Sequence, residues 1–235
     1  MINLLKQLNY IPPDLKEEIW ENVKIKFDGE YYYLSIDDVD WMSYNVKTHL
    51  EAYEVYSHYF LSEGHVTVTG LGFGVRENWI LSKKKVKKLT IIEKSKTLID
   101  YHKFKNSSFL QDERVEIINC DANEYKGSCD VLLLDHYECE EDDDILSSVK
   151  LIHDNVKCYN MWFWPFERII SNFRDQYILN NIPHVLNNIS KYTAYKLLRQ
   201  KWNLYKIPDI DEQEIELFCM MYQPKSYLRN INLNS

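Results

Sequence analysis

His65-Val66-Thr67-Val68-Thr69-Gly70-Leu71-Gly72-Phe73-Gly74-Val75 is the stretch on which the fold reading turns. After His65, the four residues Val66 to Thr69 are all β-branched in the manner of a strand, and they run straight into a loop with three glycines. A helix follows from Val75 to about Leu81. Glycines between a strand and a helix let the main chain turn sharply and come close to a ligand without Cβ interference. The spacing is GxGxG rather than the GxGxxG of the dinucleotide fingerprint.

The pattern repeats outward from this point. A second strand, Lys88-Leu89-Thr90-Ile91-Ile92, ends at Glu93, and a helix covers about Lys96 to Phe104. A third, Val115 to Cys120, ends at Asp121, and a fourth, Val131-Leu132-Leu133-Leu134, ends at Asp135. A helix over Asp142 to His153 leads to a fifth strand near Lys157 to Trp162. Helices are expected over Phe166 to Asn180 and Ile189 to Trp202, with a late strand from Glu214 to Tyr222. Strands spaced by helices imply a doubly wound, Rossmann-like α/β sheet. The unbroken apolar run at Val131 to Leu134 fits a strand buried on both faces.

Upstream, Val23, Ile25 and Phe27 alternate with charged residues before Asp28-Gly29 and the run Tyr31-Tyr32-Tyr33. That reads as a β-hairpin. Residues 1–22 read as short helical pieces, with Asp14 capping a turn from Leu15 to Trp20. Asp37 to Tyr44 read as a polar connection, and 46–62 as one helix closed by Gly64. Residues 1–45 are therefore expected to form a small helical and hairpin appendage, and 46–235 the Rossmann-like unit.

Composition narrows the function. The chain has 235 residues, 45% hydrophobic and 27% charged, with a formal net charge of -8. An acidic chain is unsuited to broad binding of nucleic acid or anionic lipid. The basic run Lys83-Lys84-Lys85-Val86-Lys87-Lys88 reads as a solvated helix-to-strand connection. The five cysteines include no CxxC pair and match no zinc spacing, so reduced thiols in a cytoplasmic protein are expected, with no metal. No signal peptide and no membrane span are read. The exposed hairpin edge offers a pairing surface for a second copy of the chain.

The candidate site residues lie where strands end, which is where open α/β sheets bind ligands. Gly70, Gly72 and Gly74 form the loop. Glu93 can accept hydrogen bonds from ribose hydroxyls, or simply close its strand. Asp121 can accept from an adenine amino group, or cap the turn that follows. Asp135, His136 and Glu138 are capable of proton transfer, although a lone histidine such as His136 is as readily structural. The acids at Glu140 to Asp144 suit the first turn of a helix, or attract a cationic acceptor. Trp162, Phe163, Trp164 and Phe166 read as core filling between strand and helix.

With these motifs in order, the chain resembles the class I S-adenosylmethionine-dependent methyltransferase superfamily, and within it the spermidine-synthase-like group. The residues carrying the resemblance are Val68 to Val75, Thr90-Ile91-Ile92-Glu93-Lys94-Ser95, Ile118 to Ala122, and Asp130 to Asp135. The resemblance implies that Gly70, Gly72 and Gly74 pass the methionine part of S-adenosylmethionine, that Glu93 holds the ribose and that Asp121 holds the adenine. It implies methyl transfer to a small-molecule or protein acceptor, with Asp135, Glu138 or His136 as base. Two other activities stay open, aminopropyl transfer and non-catalytic nucleoside binding. The polyamine-synthase loop carries an Asp that this loop lacks, and its Asp-x-x-Asp stands here as Asp135 and Glu138.

Overall fold

The structure, a computed structural model, describes residues 2–8, 10, 12–137, 142–181 and 189–222. A first helix, α1 (Ile2–Gln7), precedes a four-stranded antiparallel meander of β1 (Glu18–Trp20), β2 (Val23–Phe27), β3 (Tyr31–Ile36) and β4 (Val39–Asn45). The hairpin at Asp28-Gly29 is present. Gly29 sits at φ 98°, and Asp28 Oδ1 accepts the amides of Glu30 and Tyr31.

Within residues 1–45 the chain forms, after α1, four strands rather than one hairpin and further helical pieces. Leu15 to Trp20 is not a helical turn but leads into β1, and the supposed connection Asp37 to Tyr44 is a second turn plus β4. Asp37 and Asp38 both take positive φ, which Asp tolerates better than most residues and which a two-residue hairpin turn demands.

Helices α2 (Leu50–Glu54) and α3 (Tyr56–Leu61) replace the single helix expected over 46–62. His49 precedes α2 in the left-handed region, and Val55 breaks the helical run at φ -102°, ψ 16°. Gly64 opens the next strand rather than capping a helix.

The second sheet contains β5 (Gly64–Thr69), β6 (Val86–Glu93), β7 (Val115–Asn119), β8 (Val131–Leu134) and β9 (Asn160–Phe163). All pairs are parallel, in the order β7-β6-β5-β8-β9. The connecting helices are α4 (Val75–Leu81), α5 (Lys96–Lys105) and α6 (Asp142–Asn155). The chain then ends its described part in α7 (Phe166–Asn181), α8 (Lys191–Lys201) and α9 (Glu212–Tyr222). Winding starts at β5 and proceeds first to one side, then to the other, which makes the fold Rossmann-like.

One expected strand is therefore a helix. Glu214 to Tyr222 reads as alternating, but Ile215, Phe218 and Cys219 also fall at i, i+3 and i+4, and all three are buried. They close a contact between α9 and both α3 and α7. Trp162, Phe163 and Phe166 are fully buried as expected, as are all four residues of β8. Burial of each such leucine is worth about 2 kcal/mol relative to exposure. The basic run is less solvated than its composition suggests. Lys83 Nζ donates to the carbonyls of Tyr59 and Phe60 at the end of α3, and burial lowers its pKa to about 8.

Among the described residues no helix is long and apolar enough to cross a membrane, and no group of side chains is arranged to hold a metal.

Glu167, in the first turn of α7, is almost wholly buried. Trp162 Nε1 donates to its Oε1 at 2.9 Å, while Oε2 has no partner among the described residues. Burial pushes its pKa up to about 7, against about 4.3 for a free glutamate. The folded chain thus keeps a proton that the unfolded chain releases between those values. This contribution is complete below about pH 4 and is lost as pH rises through 7. The unfolding midpoint is expected to fall between pH 5.5 and 8. In Glu167→Gln that slope should flatten, leaving the variant more stable than the parent at pH 8 by up to about 3 kcal/mol. Thermal melts across this pH range check it, and an unchanged slope in the variant refutes it.

Candidate functional site

Three strands deliver the site. At the end of β5, Gly70 takes φ 76° and Gly72 φ 53°, a region in which side chains with a Cβ are strained. A Cβ on Gly70 would stand 2.0 Å from the carbonyl oxygen of Asp135, so glycine is what lets the ends of β5 and β8 meet. A Cβ on Gly72 would stand 2.3 Å from Sδ of Met42. The Met42 sulfur also accepts the Phe73 amide at 3.2 Å. The loop is supported from beneath by His102, whose Nε2 donates to the Gly72 carbonyl at 2.8 Å. Its Nδ1 lies 2.8 Å from the Ser107 hydroxyl, and burial lowers its pKa to about 4.

A cavity of about 440 Å³ opens above this loop. Of the residues singled out in the sequence, Gly70, Gly72, Glu93, Asp121, Asp135 and His136 line it. Gly74 does not. It ends the loop at φ 75° beneath the ring of Phe109, where a Cβ would come within 2.6 Å. Glu138, like Cys139, Glu140 and Glu141, lies outside the described residues. Asp144, from α6, lines the cavity.

Glu93 closes β6 and is buried. Its Oε2 accepts the Leu71 amide at 2.9 Å and its Oε1 accepts the Ser95 amide at 2.7 Å. It therefore fixes the glycine loop to the neighbouring strand. A carboxylate offers about four acceptor positions, so two remain. Burial raises its pKa, and the two amides pull the other way. Asp121 both faces the cavity and organises its own turn, accepting the Asn123 amide at 2.8 Å.

Arg76, in the first turn of α4, escaped the sequence reading although it organises the site. It is buried, and it donates to Glu77 from Nε and Nη2, to the carbonyls of Thr69 and Gly70, and to Asp135 Oδ2 at 3.3 Å. Asp135 keeps 35% of its side chain open but faces a recess walled by protein. Burial pushes its pKa up to about 6, Arg76 opposing and Glu77 adding.

His136 is tied at both ring nitrogens. Ser148 Oγ donates to Asn123 Oδ1 at 2.6 Å, so it accepts from His136 Nε2–H at 3.1 Å. Nδ1 is then the bare nitrogen and accepts the Thr69 hydroxyl at 2.7 Å. Thr69 Oγ1 in turn accepts the Asp135 amide at 3.0 Å. Burial lowers the His136 pKa to about 4. The ring is a neutral strut between β5, β8 and α6.

The roof of the cavity comes from the antiparallel sheet, through Leu34, Ile36, Trp41 and Met42. Trp41 lies under Lys94 Nζ, 5.4 Å from the ring centre. The sequence reading took Trp41 and Met42 for connection residues. Burial rises along this strand from exposed Val39, Asp40 and Trp41 to buried Tyr44 and Asn45 without alternating, so the sequence carries no period-2 signal for it.

No protein-family model matches the chain, and no curated protein does either. Solved structures do. A spermidine synthase from Thermotoga maritima is 17% identical with a TM-score of 0.45, over 63% of this chain and 55% of its own. The methyltransferase domain of a bacterial Hen1 is 14% identical with a TM-score of 0.39, over 48% and 65%. The 23S rRNA methyltransferase ErmE is 13% identical with a TM-score of 0.40, over 53% and 50%. The chain thus matches about half the length of the spermidine synthase. The TM-scores lie below 0.5, and the fold assignment stands on the strand order itself.

The two close approaches separate experimentally. Gly70→Ala forces its Cβ into main chain and is expected to cost at least about 3 kcal/mol, with no neighbouring truncation able to relieve it. Gly72→Ala meets a flexible thioether, so Met42→Ala in the same chain should recover about 1 kcal/mol of its cost. Denaturant melts of the single and double variants measure this coupling. Strict additivity of the Gly72 and Met42 changes would show that the contact is not formed.

Proposed function

We propose that the chain binds an adenosyl sulfonium, in the first place S-adenosylmethionine, in the cavity at the ends of β5, β6 and β7, and transfers a methyl group from it to a nucleophilic acceptor. One observation carries this reading: a single cavity is lined by the bare glycine loop, by Glu93 with two acceptor positions free, by Asp121 and by Asp135. Its size lies in the range of about 300–1,000 Å³ typical of small-ligand sites.

In this reading Glu93 accepts the ribose hydroxyls and Asp121 the adenine amino group, while Gly70 and Gly72 let the main chain lie against the ligand. The bound sulfonium supplies an activated carbon. The protein aligns the acceptor for in-line attack and receives its proton. Asp135 is the base, since its raised pKa of about 6 leaves it ionised at neutral pH yet basic enough to accept. His136 positions Asp135 through Thr69 rather than titrating itself.

A second reading, aminopropyl transfer from the decarboxylated sulfonium, is favoured by the charge of the lining. Six carboxylates (Glu51, Glu77, Glu93, Asp121, Asp135 and Asp144) face two cations, Arg76 and Lys94. Arg76 spends its donors on acids and carbonyls, and the Phe73 amide is taken by Met42. Such a field suits a ligand and acceptor that are both cationic amines.

Calorimetric titration with S-adenosylmethionine, its decarboxylated form, S-adenosylhomocysteine and NAD tests the binding. An adenosyl sulfonium should bind, and Glu93→Ala should weaken it about 10- to 100-fold through loss of charge-assisted hydrogen bonds. No heat with any adenosyl ligand would overturn the reading. Turnover with a putrescine acceptor then distinguishes S-adenosylhomocysteine from methylthioadenosine as product. The kcat/KM of either reaction should rise with pH through about 6, as Asp135 loses its proton, and Asp135→Asn should remove that limb.

A further inference from the structure

At the opposite end of the parallel sheet, away from the cavity, two cysteines are brought side by side by strand register alone. Ser128 and Lys157 form a parallel bridge, fixed by Cys129 N donating to Lys157 O at 3.0 Å and Lys157 N donating to Gly127 O at 2.9 Å. Further on, Val131 pairs with Asn160 in the same offset. Cys129 and Cys158 lie between these two fixed points and are therefore direct neighbours. Paired residues of parallel strands point to the same face, with their main chains about 4.8 Å apart. That separation falls inside the range of about 4.4–6.8 Å between Cα atoms that a disulfide spans.

From this register we infer that Cys129 and Cys158 form a reversible dithiol–disulfide pair, oxidised by hydrogen peroxide or by a small disulfide such as oxidised glutathione. Both are free thiols in the structure. Cys158 is half-buried between exposed Lys157 and Tyr159 and meets the oxidant, whereas Cys129 is buried and resolves it. With peroxide, Cys158 sulfur takes one oxygen to become a sulfenic acid and water leaves. Cys129 sulfur then attacks it, the S–O bond breaks, and a second water departs with the proton of Cys129. With a disulfide oxidant, the mixed disulfide at Cys158 is displaced in the same way and the small thiol is released.

Exposure sets this order, since the hydrogen bond to Cys129 and burial both raise the Cys158 pKa, and the surroundings favour the second step, attack by Cys129. Hydrogen bonding from the Cys158 thiol leads the influences that draw the Cys129 pKa down, against burial, with Thr67 helping. Thr67 Oγ1 is buried beside both Cys129 and the Tyr125 hydroxyl, and its approach to Cys129 favours a thiolate there. Adjacent parallel strands hold Cβ atoms farther apart than a relaxed disulfide prefers, and a strained bond is the more easily reduced. The pair is thus a labile cross-link rather than a permanent staple. Its closure ties together both ends of the β8–α6 unit, which carries Ser148 and Asp144 to the cavity.

The test uses the full chain under native conditions, equilibrated with mixtures of reduced and oxidised glutathione and mapped without reduction. A peptide cross-linked through Cys129 and Cys158 is expected. It should reach half-formation within the accessible mixtures and disappear with dithiothreitol, while the half-buried Cys120 carries at most a glutathione adduct. In Cys129→Ala the adduct on Cys158 should persist, and in the milder Cys158→Ser no cross-link to Cys129 should form. Cys158 adducts that persist in the unsubstituted chain, a cross-link through another cysteine, or a pair still reduced in pure oxidised glutathione would each overturn the proposal.

Discussion

The site depends on one absent atom. Where residue 70 would carry a Cβ, the structure places the carbonyl oxygen of Asp135. Because that space is free, β5 and β8 can end against each other, and the glycine loop and the Asp135-His136 pair share one recess. Arg76 then joins the two strand ends from below, through the Thr69 and Gly70 carbonyls on one side and the Asp135 carboxylate on the other. Its own charge is matched by Glu77, which is also buried. Removing either partner would leave an uncompensated charge in the interior, a loss of about 3–5 kcal/mol in comparable settings. Main chain sets the geometry here, and the ion cluster holds it.

This division explains what the sequence made legible. Strands that end in an acid, separated by helices, announce a parallel sheet, because each feature is local and repeats. Glu93, Asp121 and Asp135 come to line one cavity for the same reason: a strand end is visible in the chain, and the topology carries all strand ends to one rim. Arg76 is not legible, since a single arginine in a first helical turn looks like surface charge until its four partners, Glu77, Thr69, Gly70 and Asp135, are known. The helix over Glu212–Tyr222 was misread because its apolar residues satisfy a period of 2 nearly as well as one of 3.6, and packing against α3 and α7 decides between them.

The roof of the cavity was the larger omission. Trp41 and Met42 belong to a strand whose turn is Asp37-Asp38, a pair that carries no glycine to signal it. Their importance comes from contact across the molecule, Met42 with Gly72 and Phe73, Trp41 with Lys94. No periodicity reports such a contact. For His136 the reverse holds: the residue stands out in the sequence beside Asp135, but the hydrogen bonds at Thr69 and Ser148 account for both its nitrogens.

The antiparallel sheet also has a consequence for how the molecule is made. Its strands pair only with their neighbours along the chain, so the sheet can form as soon as Asn45 has left the ribosome. Its apolar underside, with Leu34, Ile36 and Met42, is not fully covered until synthesis has passed Leu134 and the whole floor of the cavity exists. During that interval of roughly 90 residues the nascent chain shows a greasy face to solvent, which is the condition under which holding chaperones engage.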